Sequence, residues 1–154
     1  MTAVLRPPRT AAWSIGAPRL LAPSATPCPA VDLPRLLGLL DTVHLRGRGG
    51  AGVLTADRLR AVAAAGDRRT AVVLNAVESE PASAKDRTLL QLNPHLVLDG
   101  ALAVAGALGA RSVTVAAKDR AALTCVDAAI RVRPDARGVR LHLTSGAYVE
   151  GEAR

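Results

Sequence analysis

The sequence predicts an α/β domain built on a parallel sheet flanked by helices, and two observations carry that prediction. Three apolar stretches of strand length, TAVVLNA (70–76), RSVTVAA (111–117) and GVRLHLTS (138–145), are bounded by polar or glycine residues. Helical spacing and capping residues fill the chain between them. The order strand, helix, strand, helix, strand is the one that winds a parallel sheet, and ligands of such sheets sit beyond the carboxyl ends of the strands.

Each element has its own local signal. Residues 1–30 hold six of the ten prolines, so they read as an extended Pro-rich leader, with residues 31–154 forming the domain. In VDLPRLLGLLDTV, Asp32 is placed to cap a helix, Pro34 lies in its first turn, and Leu33, Leu36, Leu37 and Leu40 recur at helical spacing. A glycine loop follows. Thr55 is then read as the cap of ADRLRAVAAAG, with Leu59, Val62 and Ala63 facing inward and Gly66 ending the helix. TAVVLNA is a continuous apolar run and is read as a strand covered on both faces. A short helix is predicted from Lys85 to Leu92, a long apolar one from Pro94, and a third capped by Asp119.

Composition narrows the function classes. A chain of 154 residues fits one domain, which buries roughly 70% of its unfolded surface without a disulfide or metal staple. The formal charge of +7 comes from 18 arginines and two lysines against 13 carboxylates, an excess that favours anionic partners. The arginines are scattered, however, and Trp13 and Tyr148 are the only aromatic residues, which points away from nucleic acid. Cys28 and Cys125 match no metal spacing and are too few for an iron–sulfur cluster in this chain, so they read as thiols in a reducing compartment. With no apolar run of spanning length and no signal-peptide core, direct membrane insertion is not expected and a cytoplasmic location is.

Three segments carry the candidate chemistry, and each has a bland reading beside the functional one. HLRGRGGAG (44–52) contains the letters G-x-G-x-x-G, but a helix rather than a strand precedes it, so it is a poor dinucleotide fingerprint. Its bare backbone N–H groups, helped by Arg46 and Arg48, suit an anion; equally, it is a tight surface turn. NAVESEPASAKDR (75–87) sets Asn75, Glu78 and Glu80 directly after a strand, where amide and carboxylate groups suit ribityl hydroxyls and ring N–H groups, or are simply solvated loop charges. SGAYVEGE (145–152) puts Tyr148 between glycines, as the wall of a flat cofactor or as a cover for the end of the core. His44, His95 and His142 have no convincing partners in the sequence.

Taken jointly and in this order, LRGRGGAG (45–52), NAVESEPASAKDR with NPHLVLDGALAVAGALGA (93–110), and GAYVEGE (146–152) resemble the flavin-binding domain of the NADH-dehydrogenase flavoprotein subunit, the FMN-bearing subunit of respiratory complex I. The resemblance spans about residues 31–154 and implies a Rossmann-like flavin fold that is incomplete at the carboxyl end. It also implies FMN as cofactor, NADH as hydride donor, and other redox subunits or an iron–sulfur protein as partners. By matching positions, Gly47, Arg48 and Gly49 would approach the cofactor, Gly50 and Ala51 would leave room for the dinucleotide, and Arg58 would stand where the family has a lysine. Asn75, Glu78 and Glu80 would hold the flavin, with Glu80 bordering the nicotinamide; Tyr148, Gly151 and Glu152 would form the remaining wall.

The chain departs from that pattern at Val53, where the family carries a base-stacking phenylalanine. Further departures fall at Val77, Ser79, Ala84, Glu150 and Ala153, and the sequence ends at Arg154, inside the last motif. Family members continue into a ubiquitin-like domain and a cluster-bearing helical bundle. Two functions are therefore weighed: a flavoprotein domain for hydride and electron transfer, incomplete for catalysis by itself, and a catalytically degenerate module for assembly with a redox complex.

Overall fold

A computed structural model describes residues 30–47, 52–66, 69–78 and 80–145. Helices α1 (Leu33–Thr42) and α2 (Thr55–Ala65) precede strand β1 (Ala71–Ala76). Helices α3 (Lys85–Leu92) and α4 (Pro94–Leu108) follow, then β2 (Ser112–Ala117), α5 (Arg120–Arg131), a 3-10 turn at Pro134–Ala136, and β3 (Val139–Leu143). The strands form one parallel sheet in the order β1-β2-β3.

The termini of the helices explain their extents. Asp32 accepts from the Arg35 N–H at 2.9 Å and Asp119 from the Ala122 N–H at 2.7 Å, so both serve as the predicted caps. Asn93 caps α4 through the Leu96 N–H at 3.3 Å, ahead of Pro94 in the first turn. Gly66 and Gly109 stop α2 and α4 at φ +61°, a left-handed conformation in which a Cβ is penalised.

Register decides which residues make the core. Val72, Leu74 and Ala76 lie beside Val113, Val115 and Ala117, and Val139 and Leu141 extend the same row. Onto that face pack Leu90 from α3, Leu98, Ala101 and Ala105 from α4, and Leu123 and Val126 from α5. Helices α1 and α2 pack against each other and against α4. Because the strand order runs straight from β1 to β3, two right-handed crossovers must fall on the same side of the sheet.

The consequence corrects one expectation. TAVVLNA is not covered on both faces: among the described residues Ala71, Val73 and Asn75 are exposed, Val73 at 63%, as are Arg140 and His142 on the same side. The strand alternates, a pattern hidden by valine occupying both faces. Two smaller corrections concern α2. Its cap position is Leu54, with Thr55 already helical and no side-chain cap bond. Val62 and Ala63 face solvent, whereas Ala56 and Leu59 are buried, because α2 touches the helical layer only through its first turns.

One ion cluster fastens the chain where it passes from α5 to β3. Arg133, 6% exposed, sets its guanidinium 2.6 Å from Asp99 Oδ1 and donates to both carboxylate oxygens of Asp135, at 3.1 and 2.7 Å, and to the His95 carbonyl at 3.1 Å. The hydrogen bond with Asp135 is the main cause of a strongly raised Arg133 pKa, against the opposing effect of burial. Removing the cation would strand the buried Asp99. Arg133→Met is therefore expected to lower unfolding free energy by about 3 kcal/mol in urea titrations. Arg131→Met, which breaks only the exposed pair with Asp127, should cost less than about 0.5 kcal/mol. The uncovered face gives a second contrast: Val73→Thr should cost under about 1 kcal/mol, and Leu98→Ala about 3 kcal/mol.

Candidate functional site

Strands β1 and β2 end level, Ala76 beside Ala117, so the segments that follow them leave the sheet side by side. A cavity of about 240 Å³ opens there, lined by Ala76, Glu78, Ser83, Arg87, Lys118 and Asp119 among others. Asn75 stands one residue before the end of β1. The Asn75 side-chain oxygen accepts the Val77 N–H at 3.0 Å, a local turn that terminates β1 and directs the chain across the rim.

Glu78 is 5% exposed, a position that an ionised carboxylate occupies only when paired. Its Oε1 lies 3.2 Å from the Lys85 ammonium, and its Oε2 accepts the Asp86 N–H at 3.0 Å. The Lys118 ammonium donates to the Glu78 backbone carbonyl from the end of β2. Burial by itself pushes the Glu78 pKa up; hydrogen bonds from Ser83, Lys85 and the Asp86 N–H, with the Lys85 charge, outweigh it and leave the pKa lowered. The carboxylate therefore stays ionised and turned inward, tying the loop to the first turn of α3. Glu80 differs: it is exposed, and its backbone carbonyl accepts the Ser83 N–H at 3.0 Å.

The glycine loop has a closed neck. Arg46 and Leu54 form an antiparallel bridge, the Gly47 N–H donates to the Val53 carbonyl at 3.0 Å, and the Thr55 N–H donates to the Leu45 carbonyl at 2.8 Å. Arg46, expected to help hold an anion, instead donates to the Gly52 carbonyl at 2.9 Å and braces the neck. Gly52 takes φ +59°, as such a turn requires. A Cβ on Gly47 would meet only the Val53 carbonyl, at 3.7 Å, so nothing in the neck itself demands glycine there.

Of the residues named from the sequence, Glu78 lines the rim cavity, Asn75 lies in β1 on the uncovered face, and Glu80 stands exposed beyond the end of that strand. Gly47 and Arg58 stand on the α1–α2 connection and on α2, Arg58 with its side chain exposed. Arg48, Gly49, Gly50, Ala51, Tyr148, Gly151 and Glu152 lie outside the described residues, as do Trp13 and Cys28. The sequence reading passed over Lys85 and Lys118. Their signal was their rarity: they are the only two lysines beside 18 arginines.

A larger groove, about 1230 Å³, opens where β2 and β3 begin, beside Gly106, Ser112 and Gly138. Its charged lining includes Arg133, Asp99 and Asp135, which are ion-paired with one another. The rim cavity is the better candidate despite its size, because open parallel sheets bind ligands at the carboxyl ends of their strands.

The sign of the Glu78 shift fixes a pH dependence. A carboxyl whose folded pKa is depressed adds stability above its ordinary pKa of 4.5, and that stability is lost as the pH falls through the folded value. Glu78→Gln should therefore cost about 2 kcal/mol near neutral pH, and the difference from the unaltered chain should shrink as the pH falls below 4.5 through the folded value, in urea titrations run across that range.

Comparison with known proteins identifies the family. Residues 40–154 match the family model of the Nuo51 FMN-binding domain. The F subunit of NADH-quinone oxidoreductase in Rhodobacter capsulatus is 35% identical over 124 residues, covering 70% of this chain and 29% of that protein. Its namesake in Rickettsia bellii is 41% identical over 68 residues, covering 44% of this chain and 16% of its own length. A solved structure of NAD+-reducing NiFe hydrogenase in the H2-reduced state superposes with a TM-score of 0.72 at 32% identity, over 79% of this chain and 22% of that one. The chain thus spans under a third of the length of each relative. On the extent of the family match and the parallel sheet it rests on, the chain belongs to the Nuo51 FMN-binding domain family.

Proposed function

We propose that this chain holds FMN at the carboxyl rim of its sheet and contributes that site to a larger redox assembly. The observation that carries the reading is the level ending of β1 and β2, with Val77 and Glu78 fixed at the rim by the Asn75 side chain and the Asp86 N–H. The groups present suit the cofactor. Arg87 and Lys118 line the cavity as cations, and Glu80 stands exposed just beyond β1, a mixture that suits a phosphate and ring N–H groups.

In this reading Gly47, Arg48 and Gly49 approach the cofactor, Gly50 and Ala51 leave room for the dinucleotide, and Arg58 takes the place of the family's lysine. Asn75 and Glu80 meet the flavin from the rim, and Glu78 fixes the loop that presents them. Tyr148, Gly151 and Glu152 close the site. Bound FMN supplies the capacity to take a hydride from NADH and to pass its electrons on singly. The protein's own part is to orient the ring and to exclude water around it. NADH is the donor and an iron–sulfur protein the acceptor, both reached only within the assembly. At Val53, 37% exposed at the loop neck, an aliphatic side chain replaces the stacking ring of the family pattern, so that stacking contact with NADH is missing.

One observation favours a second reading. The sheet face bearing Val73, Arg140 and His142 is uncovered among the described residues, as suits a module retained for contact with another redox subunit. No helix among the described residues is long and apolar enough to cross a membrane.

Titration of the purified chain with FMN, read by quenching of flavin fluorescence, separates the two. The flavoprotein reading predicts saturable binding that Gly47→Leu weakens at least about tenfold with the circular dichroism spectrum unchanged, since the neck accommodates a Cβ. A chain that folds but shows no saturable binding at excess FMN leaves the assembly reading.

A further inference from the structure

Both lysines of this arginine-rich chain converge on one residue. Lys85, at the start of α3, holds the Glu78 carboxylate at 3.2 Å and the Asp86 carboxylate at 2.7 Å. Lys118, at the end of β2 and 40 positions away from Glu78, donates to its backbone carbonyl. Glu78 is thus gripped at its side chain from one loop and at its main chain from another. Lysine is the residue suited to both contacts. Its ammonium is a compact point donor on a long stem, able to meet a lone carbonyl or to bridge two carboxylates.

We infer that Lys85 and Lys118 are positioning residues, a two-sided clamp that fixes Glu78 at the rim with its carboxylate turned inward and leaves Glu80 as the exposed carboxylate offered to the ligand. The clamp does this by joining three pieces that the backbone hydrogen bonds of the sheet do not connect. The β1–α3 loop contributes Glu78, the first turn of α3 contributes Lys85 and the Asp86 N–H, and the β2–α5 turn contributes Lys118. Lys118 is exposed as a residue, so it retains its hydration while making the contact and needs no buried counter-charge. The division of labour between the two glutamates follows from their surroundings. Glu78 has both carboxylate oxygens engaged within the protein, and Glu80 is exposed. The clamp itself stands on the observed contacts; its consequence for ligand binding rests on the FMN reading above.

The test uses the whole chain and two readouts. Amide hydrogen exchange in Lys118→Met should show protection of the 77–86 amides falling about tenfold, with the amides of β1, β2 and β3 unchanged. Where the chain takes up FMN, the dissociation constant for Lys118→Met should rise about tenfold, and Lys118→Arg, which restores a cationic donor, should recover most of both effects. Glu80→Gln should weaken FMN binding without altering exchange, separating a ligand contact from the clamp. Unchanged exchange in Lys118→Met would overturn the inference, as would a loss of protection spread evenly over the sheet. So would a loosened loop with FMN affinity equal to that of the unaltered chain. Local loosening in a chain that binds no FMN upholds the clamp and sinks the flavin reading instead.

Discussion

Everything functional in this fold depends on the register of the parallel sheet. Ala76, Ala117 and Leu143 stand in one row across the ends of β1, β2 and β3, so three loops leave the sheet at the same level. The apolar pattern fixes that row. Val72 and Leu74 meet Val113 and Val115 beneath the helices, and a slip of one residue would turn Asn75 into the core and Leu74 out to solvent. Alignment of the loops is therefore a by-product of burying the right aliphatic side chains. With a single tryptophan and tyrosine and no phenylalanine, the core has little else to be built from.

Two buried charges then convert a generic sheet into a specific one. Arg133 binds α4 to the turn before β3 through Asp99, Asp135 and the His95 carbonyl, and Glu78 binds the rim loop to α3 and to the end of β2. Each sits where burial disfavours the charged form, and each is compensated by several partners rather than one. The arrangement leaves Glu80 and Arg87 exposed at the rim, while the groove at the opposite end, though larger, has its Arg133, Asp99 and Asp135 charges paired.

How much of this was legible in the sequence follows from the range of each signal. Asp32, Asp119, Gly66 and Gly109 act within one turn of their own position, so the helix ends could be read from local chemistry. The glycine loop, the rim motif and the terminal motif together led to a flavin-domain family, and the family match agrees. What could not be read is what depends on distance. TAVVLNA looks doubly buried because Val73 is as apolar as Val72, and only the common side of both crossovers leaves it bare. The grip of Lys118 on Glu78 spans 40 positions, and the closing of Arg46 onto Gly52 depends on a bridge between the flanks of the loop. Arg133 likewise carries no local mark: among 18 arginines nothing adjacent to it announces a buried one.

The central claim is that the carboxyl rim, and not the larger groove, receives FMN. The most direct measurement is an amide-shift map of the isotopically labelled chain titrated with FMN. The account predicts that shifts concentrate at Gly47, Asn75, Val77, Glu78, Glu80 and Lys118, with Gly109, Arg111 and Gly138 unmoved. Shifts centred on Gly109, Arg111 and Gly138, or a spectrum that FMN leaves unchanged, would contradict it.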